Sequence, residues 1–223
     1  MQNNIITEKN FNTFHLTTTK YCGNMKNTDE RELFCKSVGI DSKNIVFATQ
    51  VHGTSVKTVS ALNCKTFTDS CDGLITNDKT VILCIFTADC MPIFMASKDY
   101  SVVALIHAGW RGLAGGIIEN ATAKFLKDFN VSSQDIISYI GPHILQCCYK
   151  VGADLIKAFN ATSNEHEQYF SLSVEAQKQL EKLGIKTFYT TNHCTCHEYE
   201  MFYSYRKERT DKRMMSLISC KKD

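Results

Sequence analysis

Three short segments of this 223-residue chain combine residue types able to hold a metal or move a proton. Gln50-Val51-His52-Gly53 presents an imidazole beside a glycine that lets the backbone turn sharply. Thr87-Ala88-Asp89-Cys90-Met91-Pro92 interrupts a long apolar run with an acid and a thiol, after which a proline disfavours regular pairing. A carboxylate in such a run needs a partner or a function, because burying it uncompensated is costly. Ile106-His107-Ala108-Gly109-Trp110-Arg111-Gly112 joins the apolar VVALI to a glycine-rich helix mouth. Backbone N–H groups and a helix dipole there favour an anion, and Arg111 can clamp phosphate or carboxylate in two-pronged fashion. Neither a P-loop nor a G-x-G-x-x-G is present, so a purely steric use of these glycines stands beside that reading.

Two imidazoles and a thiolate, His52, Cys90 and His107, make a His2Cys zinc set that leaves a fourth position for water or substrate. Their separations of 38 and 17 residues are not those of a zinc finger, so the fold must bring them together. The same side chains support a metal-free alternative in which Cys90 is a nucleophile, His107 its base and a third group orients the imidazole. A further cluster comprises His143, Cys147-Cys148 and His193-Cys194-Thr195-Cys196-His197. A second metal site or a redox pair can be drawn there. Neighbouring cysteines ordinarily diverge, however, and C-x-C is a poorer zinc hairpin than C-x2-C, so buried thiols flanking the site are expected. Phe202-Tyr203-Ser204-Tyr205-Arg206 alternates as a half-buried strand would; alternatively Arg206 meets an anionic group and Tyr203 or Tyr205 stacks on a ring.

Residues 27–38 read as a helix with Asn27 as N-cap, Glu30 three residues on, and Leu33, Phe34 and Val38 on one face. Short β-branched runs at 45–51, 54–59, 73–76, 81–88, 91–96 and 101–107 read as strands, as do 136–140, 185–189 and 214–219. Helical periodicity marks 114–127 and 173–183. This order predicts an α/β or α+β layered sandwich with a mixed sheet, in one domain spanning 1–223. His52, Cys90 and His107 then sit at strand C-terminal ends, the edge where α/β enzymes place their sites.

Twenty-five Lys and Arg against twenty-three Asp and Glu give no basic field for nucleic acid, and no apolar stretch is long enough to cross a bilayer. The eleven cysteines fall short of a disulfide scaffold. Without a basic segment followed by an apolar one at the start, a reducing cytoplasmic setting with free thiols is expected.

Taken together, QVHG, DGLIT, TADCMPIF, HAGWRGLAGGI, GP…CCY-x-VG and CT…FYSYR…R resemble the YfiH/laccase-domain family, also called peptidoglycan editing factors or polyphenol oxidase-type proteins. The resemblance covers roughly residues 45–219. It implies a compact α/β sandwich with zinc held by His52, Cys90 and His107. It also implies purine nucleoside metabolism: phosphorolysis of adenosine, inosine, guanosine or methylthioadenosine to base and ribose-1-phosphate, and adenosine deamination. In that scheme Asp89 shuttles the proton, Arg111 holds phosphate, and Gln50, Tyr205 and Arg206 contact substrate. Copper is the less favoured metal, because a multicopper oxidase needs many histidines and the chain has seven. An amidase acting on a peptidoglycan precursor through Cys90 and His107 is the other alternative. Lys150 stands where relatives often carry an acid, and Lys212-Arg213 where they carry Gly-Arg.

Overall fold

The apolar runs between residues 82 and 108 are too continuous for half-solvated strands, and they lie at the centre of two sheets covered on both faces. The computed structural model describes residues 4–64, 66–159 and 168–221. The strands are β1 (Ile5–Ile6), β2 (His15–Thr18), β3 (Ile45–Ala48), β4 (Val56–Thr58), β5 (Phe67–Thr68), β6 (Gly73–Thr76), β7 (Ile82–Thr87), β8 (Met91–Ser97), β9 (Val103–Ala108), β10 (Ile136–Ile140), β11 (Thr187–Thr190) and β12 (Met214–Ser219). The helices are α1 (Thr28–Ser37), α2 (Trp110–Ala114), α3 (Ile117–Phe129), α4 (Ala153–Ala158), α5 (Leu172–Lys182) and α6 (Tyr205–Glu208). One six-stranded sheet runs β1-β2-β12-β7-β3-β5 and the other β11-β10-β8-β9-β6-β4. Both mix parallel and antiparallel neighbours.

Alternation along the strands makes four layers. Leu83, Ile85 and Val46 of the first sheet meet Phe94, Leu105 and Tyr139 of the second between the sheets. The opposite face of the first sheet, including Ile45, Phe47, Cys84 and Leu217, packs on Phe34 and Cys35 of α1. The far face of the second, including Ile93, Met95 and Ile106, packs on Ile117, Ile118, Ala121 and Phe125 of α3 and Ala176 and Leu180 of α5. Each fully buried Ile or Phe there contributes about 1.5–3 kcal/mol relative to exposure. No helix among the described residues is long and apolar enough to cross a membrane.

The layered sandwich forms as expected, with two mixed sheets where one was drawn. The Asn27 cap is present, its side chain accepting from Glu30 N at 3.1 Å, but Cys35 joins Phe34 inside while Leu33 is 71% exposed. The helix expected over 114–127 forms as α3, beginning at Ile117 after Gly116, which takes φ +89°, and a separate short α2 ends at Ala114. Phe202–Arg206 is not a strand: Ser204 turns the chain and caps α6, its hydroxyl accepting from Lys207 N at 3.2 Å.

Candidate active site

The chain leaves the first sheet at the end of β7 and enters the second at β8 through Ala88-Asp89-Cys90 alone. Asp89 makes this crossing with φ +88°, an unusual conformation for a residue with a side chain. Its carboxylate is fixed by two donors, Thr195 Oγ1 to Oδ1 at 2.7 Å and Arg206 N to Oδ2 at 2.6 Å. Cys90 follows directly. His107, near the end of β9, lies beside it because Pro92 and His107 are register partners of the antiparallel β8–β9 pair. His52 reaches the same point from the loop after β3, at φ +59°, with its ring edge-on to His107 at a centroid distance of 4.8 Å. The ligand atoms of His52, Cys90 and His107 all lie within 4.8 Å of one another.

Asp72 holds this arrangement together, and sequence reasoning missed it. It is fully buried and precedes β6. Its Oδ2 accepts from the backbone N–H groups of Val51 at 3.1 Å and Gly53 at 2.7 Å, while Oδ1 accepts from His52 N at 2.9 Å. The same Oδ1 lies 2.7 Å from His107 Nδ1. That bond fixes the imidazole so that Nε2 faces Cys90, the carboxylate–histidine pairing typical of metal ligands. Burial works against the Asp72 charge, but the His107 imidazole and the Gly53 and Val51 N–H groups outweigh it and keep the carboxyl below its usual range. The available signal was the acid that opens the DGLIT motif, to which no role was assigned.

Two glycines make room. A Cβ on Gly109 would sit 3.1 Å from Cys90 Sγ and 3.3 Å from His52 Cδ2. One on Gly112 would meet the Gly53 carbonyl at 2.8 Å, so the HAGWRG and QVHG backbones can approach only with glycine there. Burial alone would raise the Cys90 thiol, but the facing His107 and His52 imidazoles pull it down to about 6. The Cys90 thiolate and the Asp72 carboxylate in turn carry His107 up to about 9 against its own burial. Among the described residues, His52, Cys90 and His107 form the one candidate metal-binding group that contains histidine. Two nitrogens and one sulfur at this separation suit zinc, and the orienting carboxylate behind His107 fits that use.

A cavity of about 690 Å³ opens onto the three residues, within the usual range for small-molecule sites. Basic Lys26, Arg31, Arg111, Arg206 and Arg213 line it against the single acid Asp89, with aromatic Phe67, Phe86, Trp110, Tyr149 and Tyr205 between them. Arg111 is exposed on α2, its guanidinium 4.4 Å from the Trp110 ring centre. The helix expected to aim its dipole at an anion here has only five residues, so Arg111 supplies the local positive charge more than the helix does. Arg206 donates from Nη1 to the carbonyls of Lys150 at 2.9 Å and Cys148 at 3.3 Å and lies 5.2 Å from the Tyr149 ring centre. Tyr205 is half exposed at the rim. Gln50 lines the wall with its amide engaged on Phe86, donating to the carbonyl at 2.7 Å and accepting from N at 2.8 Å.

A profile of the family described as multi-copper polyphenol oxidoreductase laccase matches residues 6–221. A purine nucleoside phosphorylase of Haemophilus influenzae is 34% identical over 202 residues, 84% of this chain and 79% of the relative. The purine nucleoside phosphorylase YfiH of Escherichia coli is 28% identical, with 89% of this chain and 83% of the relative covered. The chain belongs to the YfiH family. Among solved structures, YlmD of Geobacillus stearothermophilus superposes with a TM-score of 0.89 at 24% identity, over 99% of this chain and 100% of its own, which is a likeness of fold. A Neisseria meningitidis protein gives 0.85 at 27% identity over 98% of this chain and 100% of its own.

Away from the metal set, this YfiH-family chain departs from the expected pattern at Cys147 and Cys148. Their sulfurs do not diverge but lie 3.6 Å apart. His143 is fully buried, with Nδ1 2.8 Å from the Gly141 carbonyl and Nε2 without a hydrogen-bond partner among the described residues. Burial lowers it to about 4, so it is neutral and donates from Nδ1. All eleven cysteines are free thiols.

Proposed function

We propose that this protein is a zinc-dependent purine nucleoside enzyme that cleaves adenosine, inosine, guanosine or methylthioadenosine with phosphate, and that it also deaminates adenosine. The observation that carries this reading is the His52/Cys90/His107 set facing a cavity lined by basic and aromatic side chains. The phosphorylase names of the relatives agree with it. A zinc ion held by these three residues would supply Lewis-acid polarisation and lower the pKa of water.

The chain's own residues supply the rest. Arg111 sits where it can hold a phosphate, and the fixed guanidinium of Arg206 adds positive charge on the same wall. A phosphate oxygen then attacks the anomeric carbon, and the glycosidic C–N bond breaks with its electron pair leaving on the purine. Tyr205 at the rim and Tyr149 beneath Arg206 offer faces on which a purine stacks. Asp89 keeps one acceptor direction on each oxygen beyond its two fixed bonds, which suits it to take up and return a proton during deamination. Gln50 shapes the wall through Phe86. The test is to incubate metal-analysed protein with a nucleoside panel, with and without phosphate, and to read products by mass. Phosphate-dependent release of free base is expected; its absence overturns the reading, as does full activity after zinc removal.

A second reading follows from the chain Asp72–His107–Cys90, which has the order of a carboxylate-oriented Cys–His nucleophile. It makes the protein a hydrolase or amidase. Alkylation of Cys90 separates the two: zinc ligation protects the thiol, whereas a free nucleophile reacts with zinc present or absent.

A further inference from the structure

We propose that Cys147, Cys148 and Cys194 form a second metal site, for a thiophilic d10 ion, on the outer side of the cavity wall. Cys147 Sγ lies 3.6 Å from Cys148 Sγ and 3.8 Å from Cys194 Sγ, and all three sulfurs fall within 4.8 Å of one another. Tetrahedral zinc with Zn–S bonds of about 2.3 Å puts its sulfurs about 3.8 Å apart, and the two closer pairs match that edge. The sulfurs come from segments 47 residues apart, so local geometry does not explain their convergence.

The backbone holds both segments in place. Cys148 N and Tyr149 N donate to the Leu145 carbonyl at 3.0 and 3.1 Å, closing a turn that presents Cys147 and Cys148 on one side. Thr195 N donates to the His143 carbonyl at 3.0 Å, and Leu145 N donates to Cys194 Sγ at 3.4 Å, which ties the two segments together. Core packing accounts for Cys194 and in part for Cys148, but Cys147 is exposed and gains nothing by turning its sulfur onto the other two. That exposed side leaves a fourth position for water or an outside ligand. Three thiolates around a monovalent or divalent cation keep a net negative charge, and the Arg206 guanidinium, which donates to the Cys148 carbonyl at 3.3 Å, is a cation bonded to the same segment. Soft thiolate ligands select Zn2+ or Cu+.

The site stands apart from the His52/Cys90/His107 set and does not depend on the nucleoside reading. It does touch the cavity: Tyr149 is part of the wall, and the carbonyls of Cys148 and Lys150 hold Arg206. An ion here therefore pins the segment that positions both.

Cobalt(II) tests the proposal, because its sulfur-to-metal charge-transfer absorption scales with the number of thiolates. Chelator-stripped protein, kept reduced and free of oxygen, is titrated with Co2+. The wild-type chain is expected to take up two ions with about four thiolate contributions, one from the His2Cys set and three from the new site. Cys147→Ser/Cys148→Ser should keep one ion and about a quarter of the absorption, while Cys90→Ser should keep about three quarters. The surface variant Cys147→Ser alone should weaken only the second ion. Competition against chromophoric chelators with Zn2+, and anaerobically with Cu+, identifies the ion. Uptake of a single one-thiolate Co2+ by the wild type, or unchanged uptake by the double variant, overturns the proposal, as does failure of both Zn2+ and Cu+ to bind the three-thiolate set.

Discussion

Replacing Asp72 by Asn is the sharpest perturbation of the site, because it changes one atom and leaves volume almost unchanged. The carboxylate accepts from His52 N and His107 Nδ1 through one oxygen and from Val51 N and Gly53 N through the other. An amide oxygen can serve only one pair. Its NH2 then faces two donors, so two of four charge-assisted bonds are lost, worth about 1.5–3 kcal/mol each. The 51–53 loop is partly solvated and its N–H groups can turn to water, which reduces the net cost to about 2–3 kcal/mol. For a chain of this size that lowers the melting temperature by roughly 4–12 °C. Loss of the carboxylate behind a metal-binding histidine also weakens metal affinity by about 10–100-fold. Thermal unfolding of chelator-treated protein reads the first effect, and a zinc competition titration reads the second. An Asp72→Asn variant with unchanged melting temperature and unchanged zinc affinity would refute the argument that Asp72 organises the site.

Three other outcomes are expected. Gly109→Ala should fold normally, since φ −75° suits alanine, yet its Cβ crowds Cys90 and His52 by a few tenths of an ångström; steady-state kinetics should show turnover several-fold lower, scaled down from the ~10²-fold that a 1 Å misplacement can cost. Arg111→Ala removes an exposed cation and should raise the KM for phosphate about tenfold, with stability changed by less than about 0.5 kcal/mol by chemical denaturation. His143 titrates near 6.5 when unfolded and is lowered to about 4 when folded, so the unfolded chain binds the extra proton between those values. Its contribution is complete above pH 6.5 and is lost as pH falls toward 4, a total on the order of 3 kcal/mol. Denaturation of His143→Gln across this window should show a shallower pH dependence than the wild type.

The parts of this molecule that were legible in the sequence are those that local pattern determines. Ile136–Ile140 and Met214–Ser219 form the expected strands because five or six buried residues in a row admit little else. The convergence of His52, Cys90 and His107 rested on the family resemblance, since separations of 38 and 17 residues carry no local constraint. Asp72 escaped because its four partners lie 19 to 35 residues away and no sequence pattern marks a carboxylate as an acceptor for a distant loop. Phe202–Arg206 misled for a different reason. Alternation of aromatic and polar residues satisfied the strand template, but Ser204 caps α6 and Arg206 N is committed to Asp89. The pairing of Cys147 with Cys148 likewise depends on the turn closed at Leu145, which overrides the usual divergence of adjacent side chains.

The two names attached to the family pose a chemical question that the histidines help to answer. A His2Cys set is compatible with copper as well as zinc, so the donors alone do not decide. A laccase must pass electrons from its substrate to dioxygen through several coppers, and those additional coppers need further histidines. In this chain His15 is held between Glu8 N and the Thr13 carbonyl, His143 is buried against Gly141, His193 pairs with Glu198, and His197 stands exposed beyond Cys196. His166 lies outside the described residues. None of the four described here joins His52 or His107 in a shared metal group. The cavity beside the set carries five cationic side chains, which an oxidase of neutral phenols has no use for and a phosphate-using enzyme does. The charge of the pocket therefore favours the phosphorylase name over the laccase name more strongly than the metal ligands do.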